Sequence, residues 1–194
     1  MKILVSFCAA VLCAAVLISC FPIRGEEKIY DSMIRLHVLA ESDSDEDQAR
    51  KLRVRDAVLD VLAQRMEEAH SYEDAAAAVL SVMTEIEDAA RRAVRGECTV
   101  RAEMGRERYP VRVYENYTLP AGEYTSLRIE LGEARGRNWW CVVYPPLCTG
   151  SVTETVRETA ALNEEELRLI TEDGEGYVIR FRLMELWGEL VNAL

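Results

Sequence analysis

Residues 33–47 read Met-Ile-Arg-Leu-His-Val-Leu-Ala-Glu-Ser-Asp-Ser-Asp-Glu-Asp, and the change of period inside this stretch decides the fold class. Up to Ala40 the period is two: Ile34, Leu36, Val38 and Ala40 alternate with Met33, Arg35, His37 and Leu39, which predicts a strand with a mostly buried face. From Glu41 the chain turns acidic and supplies helix caps twice over, Ser42 with Asp45 and Ser44 with Asp47. Leu52, Val54, Val58, Leu59, Val61, Leu62 and Met66 then recur at three- and four-residue spacings, which predicts one amphipathic helix from about Asp45 to Ala69.

Working outward, Ser71 with Asp74 caps a second helix, whose Val79, Val82, Met83, Ile86, Ala90 and Val94 keep the helical period until Gly96 ends it. The two helices form a hairpin, with His70 exposed in the tight connection. After Gly96 the period returns to two. Val100, Ala102 and Met104 alternate with Thr99, Arg101 and Glu103; Tyr109–Tyr114 is a second strand; and Glu123–Leu131 is a third, in which Thr125, Leu127, Ile129 and Leu131 face away from Tyr124, Ser126, Arg128 and Glu130. Gly105, Pro120 and Gly122 are placed in the turns between them.

Residues 136–148, Gly-Arg-Asn-Trp-Trp-Cys-Val-Val-Tyr-Pro-Pro-Leu-Cys, put Trp139, Cys141 and Val143 on one face of a strand and Trp140, Val142 and Tyr144 on the other. Both faces are apolar. Either this is a central strand covered on both sides, or one face is an exposed aromatic anchor for a partner; Trp139, Trp140, Tyr144, Pro145 and Pro146 are then the candidate contact residues. A helix with a break near Asn163 is expected over Thr153–Ile170, and Tyr177, Phe181, Met184, Trp187, Leu190, Val191 and Leu194 follow helical spacing to the end. The expected fold is α+β: an antiparallel sheet of four to five strands covered by a helical hairpin and a C-terminal helix.

With 194 residues, 49% of them apolar, the chain has the material for one domain, and a net charge of -11 argues against a nucleic-acid partner. Lys2 is followed by an uncharged run from Ile3 to Ile23, so residues 1–23 read as a signal peptide, a lipoprotein leader or a membrane anchor. Leu17-Ile-Ser-Cys20 fits the site at which lipoproteins are cleaved and lipidated on cysteine, here Cys20; Cys20 fits a membrane helix equally well. Each reading places residues 24–194 outside the cytoplasm as a single domain, with membrane contact through the N-terminal segment.

Of the six cysteines, Cys98, Cys141 and Cys148 lie beyond the leader. Outside the cytoplasm a short-loop disulfide between Cys141 and Cys148 is the preferred reading, because Pro145 and Pro146 favour the bend it needs, and Cys98 is left over at a strand start. No zinc spacing supplies a fourth ligand. Asp43, Asp45 and Asp47 fall at the first, third and fifth positions of a calcium loop, but Gln48 stands where glycine is needed and Val54 where a bidentate glutamate should close the site. The sequence holds no nucleophile elbow, no HExxH and no phosphate-binding glycine loop, so neither catalytic residues nor cofactors are assigned.

Ile34-Arg-Leu-His-Val-Leu-Ala-Glu-Ser-Asp-Ser-Asp, Val54-Arg-Asp-Ala-Val, Pro120-Ala-Gly-Glu-Tyr, Asn138-Trp-Trp-Cys and Pro145-Pro-Leu-Cys follow the order found in the stage II sporulation protein R family, which the exported chain resembles throughout. That family often has Asn at the position of Glu41. Cys141 and Cys148 belong to its pattern and Cys98 does not. The resemblance implies a non-enzymatic signal made in the forespore and exported between the two membranes of a developing endospore. Its target would be a membrane-embedded aspartyl protease of the mother cell, which processes the sigma factor E precursor. A domain that binds or hydrolyses the cell wall is the alternative, suggested by the Trp-rich strand and the placement outside the cytoplasm.

Overall fold

The computed structural model describes residues 26–114 and 117–145. A short helix, α1 (Glu26–Asp31), leads into β1 (Ile34–Leu39); three helices follow, α2 (Asp45–Glu68), α3 (Tyr72–Ser81) and α4 (Met83–Val94). The chain then makes β2 (Val100–Tyr109), a ribbon of two-residue strands β3 (Arg112–Val113) and β4 (Thr118–Leu119), and the longer β5 (Gly122–Leu131) and β6 (Asn138–Tyr144).

Four strands form one sheet in the order β2-β5-β1-β6, and β3 pairs with β4 in a separate ribbon. The sheet is mixed, which corrects the antiparallel expectation: β2 runs antiparallel to β5 and β6 to β1, but β1 and β5 at the centre are parallel. After the helices the chain re-enters at the β2 edge, so β5, folding back on β2, comes to lie beside β1 in the same direction. As a central strand β1 is buried along its whole length, including the Arg35 and His37 side chains on its second face.

Both helix starts follow the caps expected from sequence. The Ser44 hydroxyl accepts from the Asp47 backbone N–H at 3.2 Å, and Ser71 accepts from that of Asp74 at 3.0 Å. The second arm of the hairpin is not one helix, however. It breaks at Val82 (φ -111°, ψ 12°) into α3 and α4, with Val79 before the break and Ile86 after it both fully buried. α2 packs chiefly against α4. At its far end α4 stops where Arg95 and Gly96 take positive φ, as the glycine suggested.

The helices cover one face of the sheet. Val54, Val58, Leu62, Val79, Ile86 and Val94 meet Ile34, Leu36, Val38, Leu127, Ile129 and Leu131 there, each fully buried residue of this size contributing about 1.5–3 kcal/mol. Two further expectations are corrected. Gly105 is not a turn residue but lies inside β2, which runs unbroken for ten residues; of the proposed strand 109–114, only the two residues of β3 separate from it. The helices expected over Thr153–Ile170 and 177–194, Pro146, Cys148, and the leader 1–23 with Cys20 lie outside the described residues. No described helix is long and apolar enough to cross a membrane.

Candidate functional site on the second face of the sheet

The alternation that buries Ile34, Leu36 and Val38 under the helices sends Arg35 and His37 to the opposite face. Beside them on that face stand Glu107 and Tyr109 from β2, Tyr124, Ser126 and Arg128 from β5, and Trp140 and Val142 from β6. This face is apolar at one end and densely polar at the other.

At the apolar end α1 and the β3–β4 ribbon close over the sheet. Ile29, Met33, Tyr109, Tyr117, Leu119, Tyr124 and Val142 make a second buried cluster, edged by Tyr30, Tyr114 and Trp140. Inside it lies the Arg35 guanidinium, 0% exposed, 3.9 Å above the Tyr109 ring and 4.8 Å from that of Tyr124, donating from Nη2 to the Tyr114 hydroxyl at 2.8 Å. Desolvating such a charge costs several kcal/mol, whereas a desolvated cation–π contact returns about 2 kcal/mol. Burial also pushes the Tyr109 and Tyr117 phenols far above their ordinary range, so both stay neutral hydroxyls.

At the polar end Glu107 is the hub. One carboxylate oxygen lies 2.7 Å from Nδ1 of His37 and 3.2 Å from Nη1 of Arg128; the other accepts from the Ser126 hydroxyl at 2.7 Å, which itself lies 2.7 Å from the Tyr109 hydroxyl. Arg128 also reaches Glu130 at 2.7 Å. Burial pushes the Glu107 carboxyl up, but hydrogen bonds from His37 and Ser126 and the nearby charges outweigh it and hold the group below the usual carboxylate range.

Ser, His and Glu thus meet, but not as a nucleophile and its base. Both the hydroxyl and the imidazole point at the carboxylate, and no hydrogen bond joins them to each other, so the serine has no path for its proton to the histidine. The sequence reading left His37 without an activating neighbour; the sheet brings Glu107 to it from 70 residues away.

The two tryptophans part company. Trp139 lies on the helix side, half-buried against the main core with Arg55 4.5 Å from its ring. Trp140 lies on the second face, half-buried, stacked on the His37 ring at 5.3 Å with Arg112 3.4 Å from its own ring centroid. Tyr144 does not follow the expected alternation. A bulge pairs Ile34 with Tyr144 and Arg35 with Val142, skipping Val143, and Tyr144 turns into the helix-side core at 1% exposure. Pro145 is buried too. Neither offers an exposed anchor, so of the five candidate contact residues Trp140 is the one the structure sets half-buried on the second face. Cys141 is buried and Cys98 is the free cysteine among the described residues. Sequence reasoning passed over Arg35, Glu107 and Arg112. For Arg35 there was a signal, an arginine in a strand whose only other polar residue is His37.

Among the described residues no cluster of side chains suits a metal ion. No solved structure matches the chain. A family described as stage II sporulation protein R matches residues 30–154. A stage II sporulation protein R of Bacillus subtilis (strain 168) is 38% identical over 123 residues, 62% of this chain. The match spans 55% of that relative's length, little more than half. Because the matched stretch runs from α1 through β6 and takes in every strand of the sheet with both ends of its second face, the chain belongs to the stage II sporulation protein R family.

Proposed function

We propose that this sporulation protein is a signal outside the cytoplasm, made in the forespore and exported into the space between the two spore membranes, where it activates a membrane-embedded aspartyl protease of the mother cell. That protease then processes the sigma factor E precursor. The observation that carries the reading is the family match across residues 30–154. Residues 1–23 would deliver the chain across the membrane or hold it there, with Cys20 lipidated if the segment is a lipoprotein leader.

An activator shifts its target only by binding the active arrangement better than the resting one. A rigid contact surface serves this, because little of its binding energy goes into ordering side chains. Trp140 supplies such a contact: half-buried, it is clamped between His37 and Arg112. A Cys141–Cys148 bridge would fix the end of the same strand.

Co-expression of this chain, the protease and the sigma factor precursor in a host that does not sporulate tests the reading. Processing should depend on this chain. Equal processing with and without it would remove the activator role, and binding of the purified protein to peptidoglycan, or release of muropeptides, would then favour the cell-wall alternative.

A further inference from the structure

Among the described residues Arg35, Arg50 and Lys51 are the buried arginines and lysine, and Arg50 and Lys51, like the partly exposed Arg128, have partners that satisfy them. Arg50 binds Glu97 at 2.8 Å and Asp47; Lys51 donates to Gln48 at 2.7 Å and to the Arg137 carbonyl at 2.8 Å; Arg128 reaches Glu107 and Glu130. Arg35 is the exception. It is 0% exposed, no carboxylate among the described residues lies within ion-pair distance of it, and its Nε and Nη1 have no hydrogen-bond partner. Two residues along the same strand face, Nε2 of the 6%-exposed His37 is also without a partner.

Buried polar groups are nearly always paired, and a buried guanidinium with no counter-ion and a single hydrogen bond, to the Tyr114 hydroxyl, is a cost that folding alone gives no reason to retain. A methionine would fill the same space between Tyr109 and Tyr124 without that cost. We propose that Arg35 is a receptor for a carboxylate supplied from outside the described fold. The ligand is a carboxylate rather than a phosphate, because Arg128 is already shared between two glutamates and one guanidinium is left to answer one negative charge. In the neutral tautomer whose Nδ1–H donates to Glu107, Nε2 of His37 presents a lone pair on the same strand face, which a hydroxyl or amide N–H beside the ligand's carboxylate would meet. Entry requires the β3–β4 ribbon to lift. Its strands are two residues each, and Tyr114 beside it is the side chain that holds Arg35 by a hydrogen bond.

This inference stands apart from the protease reading, so its test uses the purified full chain alone. Glycolate, a carboxylate with an adjacent hydroxyl, is titrated against phosphate and chloride at matched ionic strength. The readouts are the Arg35 Nε–H resonance, identified by its absence from Arg35→Lys, and the melting temperature. Glycolate should move the resonance and raise Tm by about 2–4 °C, and phosphate should do neither. Arg35→Lys, which keeps the charge but loses the planar fork, should show no glycolate-specific rise. An acidic tetraglutamate peptide in place of glycolate distinguishes an acidic polypeptide from a small molecule as the source: whichever acts at the lower carboxylate concentration identifies it. An unmoved resonance at saturating glycolate, an equal response to phosphate, or the same rise in Arg35→Lys would each overturn the proposal.

Discussion

Nδ1 of His37 and the Glu107 carboxylate meet at 2.7 Å although their strands are not neighbours: β5 lies between β1 and β2. The carboxylate reaches across β5 and takes a second hydrogen bond, from Ser126 of that strand, so one side chain ties three strands together on the second face.

Removing that tie should show a defined pH signature. The Glu107 carboxyl is held below its ordinary value of 4.5 in the folded protein. A depressed carboxyl contributes stability that is present above the unfolded value and is lost as pH falls through the folded one. Glu107→Gln should therefore cost about 1–3 kcal/mol at pH 7, and the difference from the native chain should shrink below about pH 4.5. Urea unfolding at a series of pH values measures it; a difference independent of pH would mean the carboxylate charge is not what matters.

Gly136 should tolerate no side chain. A Cβ there would stand 2.2 Å from the Ser42 carbonyl oxygen and 2.5 Å from its carbon, and backbone atoms cannot swing away as a side chain would. The contact exists because the loop between β5 and β6 is stitched to the segment after β1, Gly136 N–H donating to the Ala40 carbonyl at 2.9 Å. Gly136→Ala should lose about 1–3 kcal/mol, seen as a lower urea midpoint at unchanged slope.

The three cysteines beyond the leader, Cys98, Cys141 and Cys148, should divide into a bridged pair and one reluctant thiol. Cys98 is half-buried, and burial pushes its thiol above the ordinary value, so the reactive thiolate is scarce at neutral pH. Native protein in iodoacetamide without reductant should label at Cys98 alone, slowly and faster as pH rises. Unfolding without reductant should expose no second thiol, because Cys141 and Cys148 are expected to close a short loop worth about 2–3 kcal/mol in chain entropy. Labelling at all three sites would refute the bridge.

Trp139 and Trp140 should separate stability from signalling. Each is half-buried and each faces an arginine, so replacement of either by Ala should cost a similar stability, about 1–2 kcal/mol. Only Trp140→Ala should abolish precursor processing in the co-expression assay, since Trp139 sits on the helix side. Loss of processing in both variants, or in Trp139→Ala alone, would put the contact elsewhere.

What the sequence made legible was local. The Ser44–Asp47 and Ser71–Asp74 caps, the stop at Gly96 and the alternation through 34–40 and 125–131 all depend on near neighbours in the chain, and all are found in the structure. What stayed hidden depends on which strand sits beside which. The parallel β1–β5 pairing has no local signature, and neither has the meeting of His37 with Glu107. The helix breaks at Val82 without the glycine or proline that would have announced it. Gly105 reads as a turn, yet its place in an exposed strand, with nothing within 4 Å of where a Cβ would stand, asks nothing special of the backbone. Tyr144 was misplaced by a single bulge, which reverses every facing after it.

The parallel centre of the sheet has a kinetic side. Ile34 pairs with Thr125, about 90 positions later, and the other neighbour of β1 is β6, later still. A strand buried along its whole length is therefore made early and paired late. The helices assemble from nearby segments in the meantime, but closing so long a loop is an entropic toll that precedes any reward from pairing. Until β5 arrives, β1 presents an unmatched hydrophobic edge, and a growing or translocating chain would need shielding through that interval to avoid joining a neighbour instead.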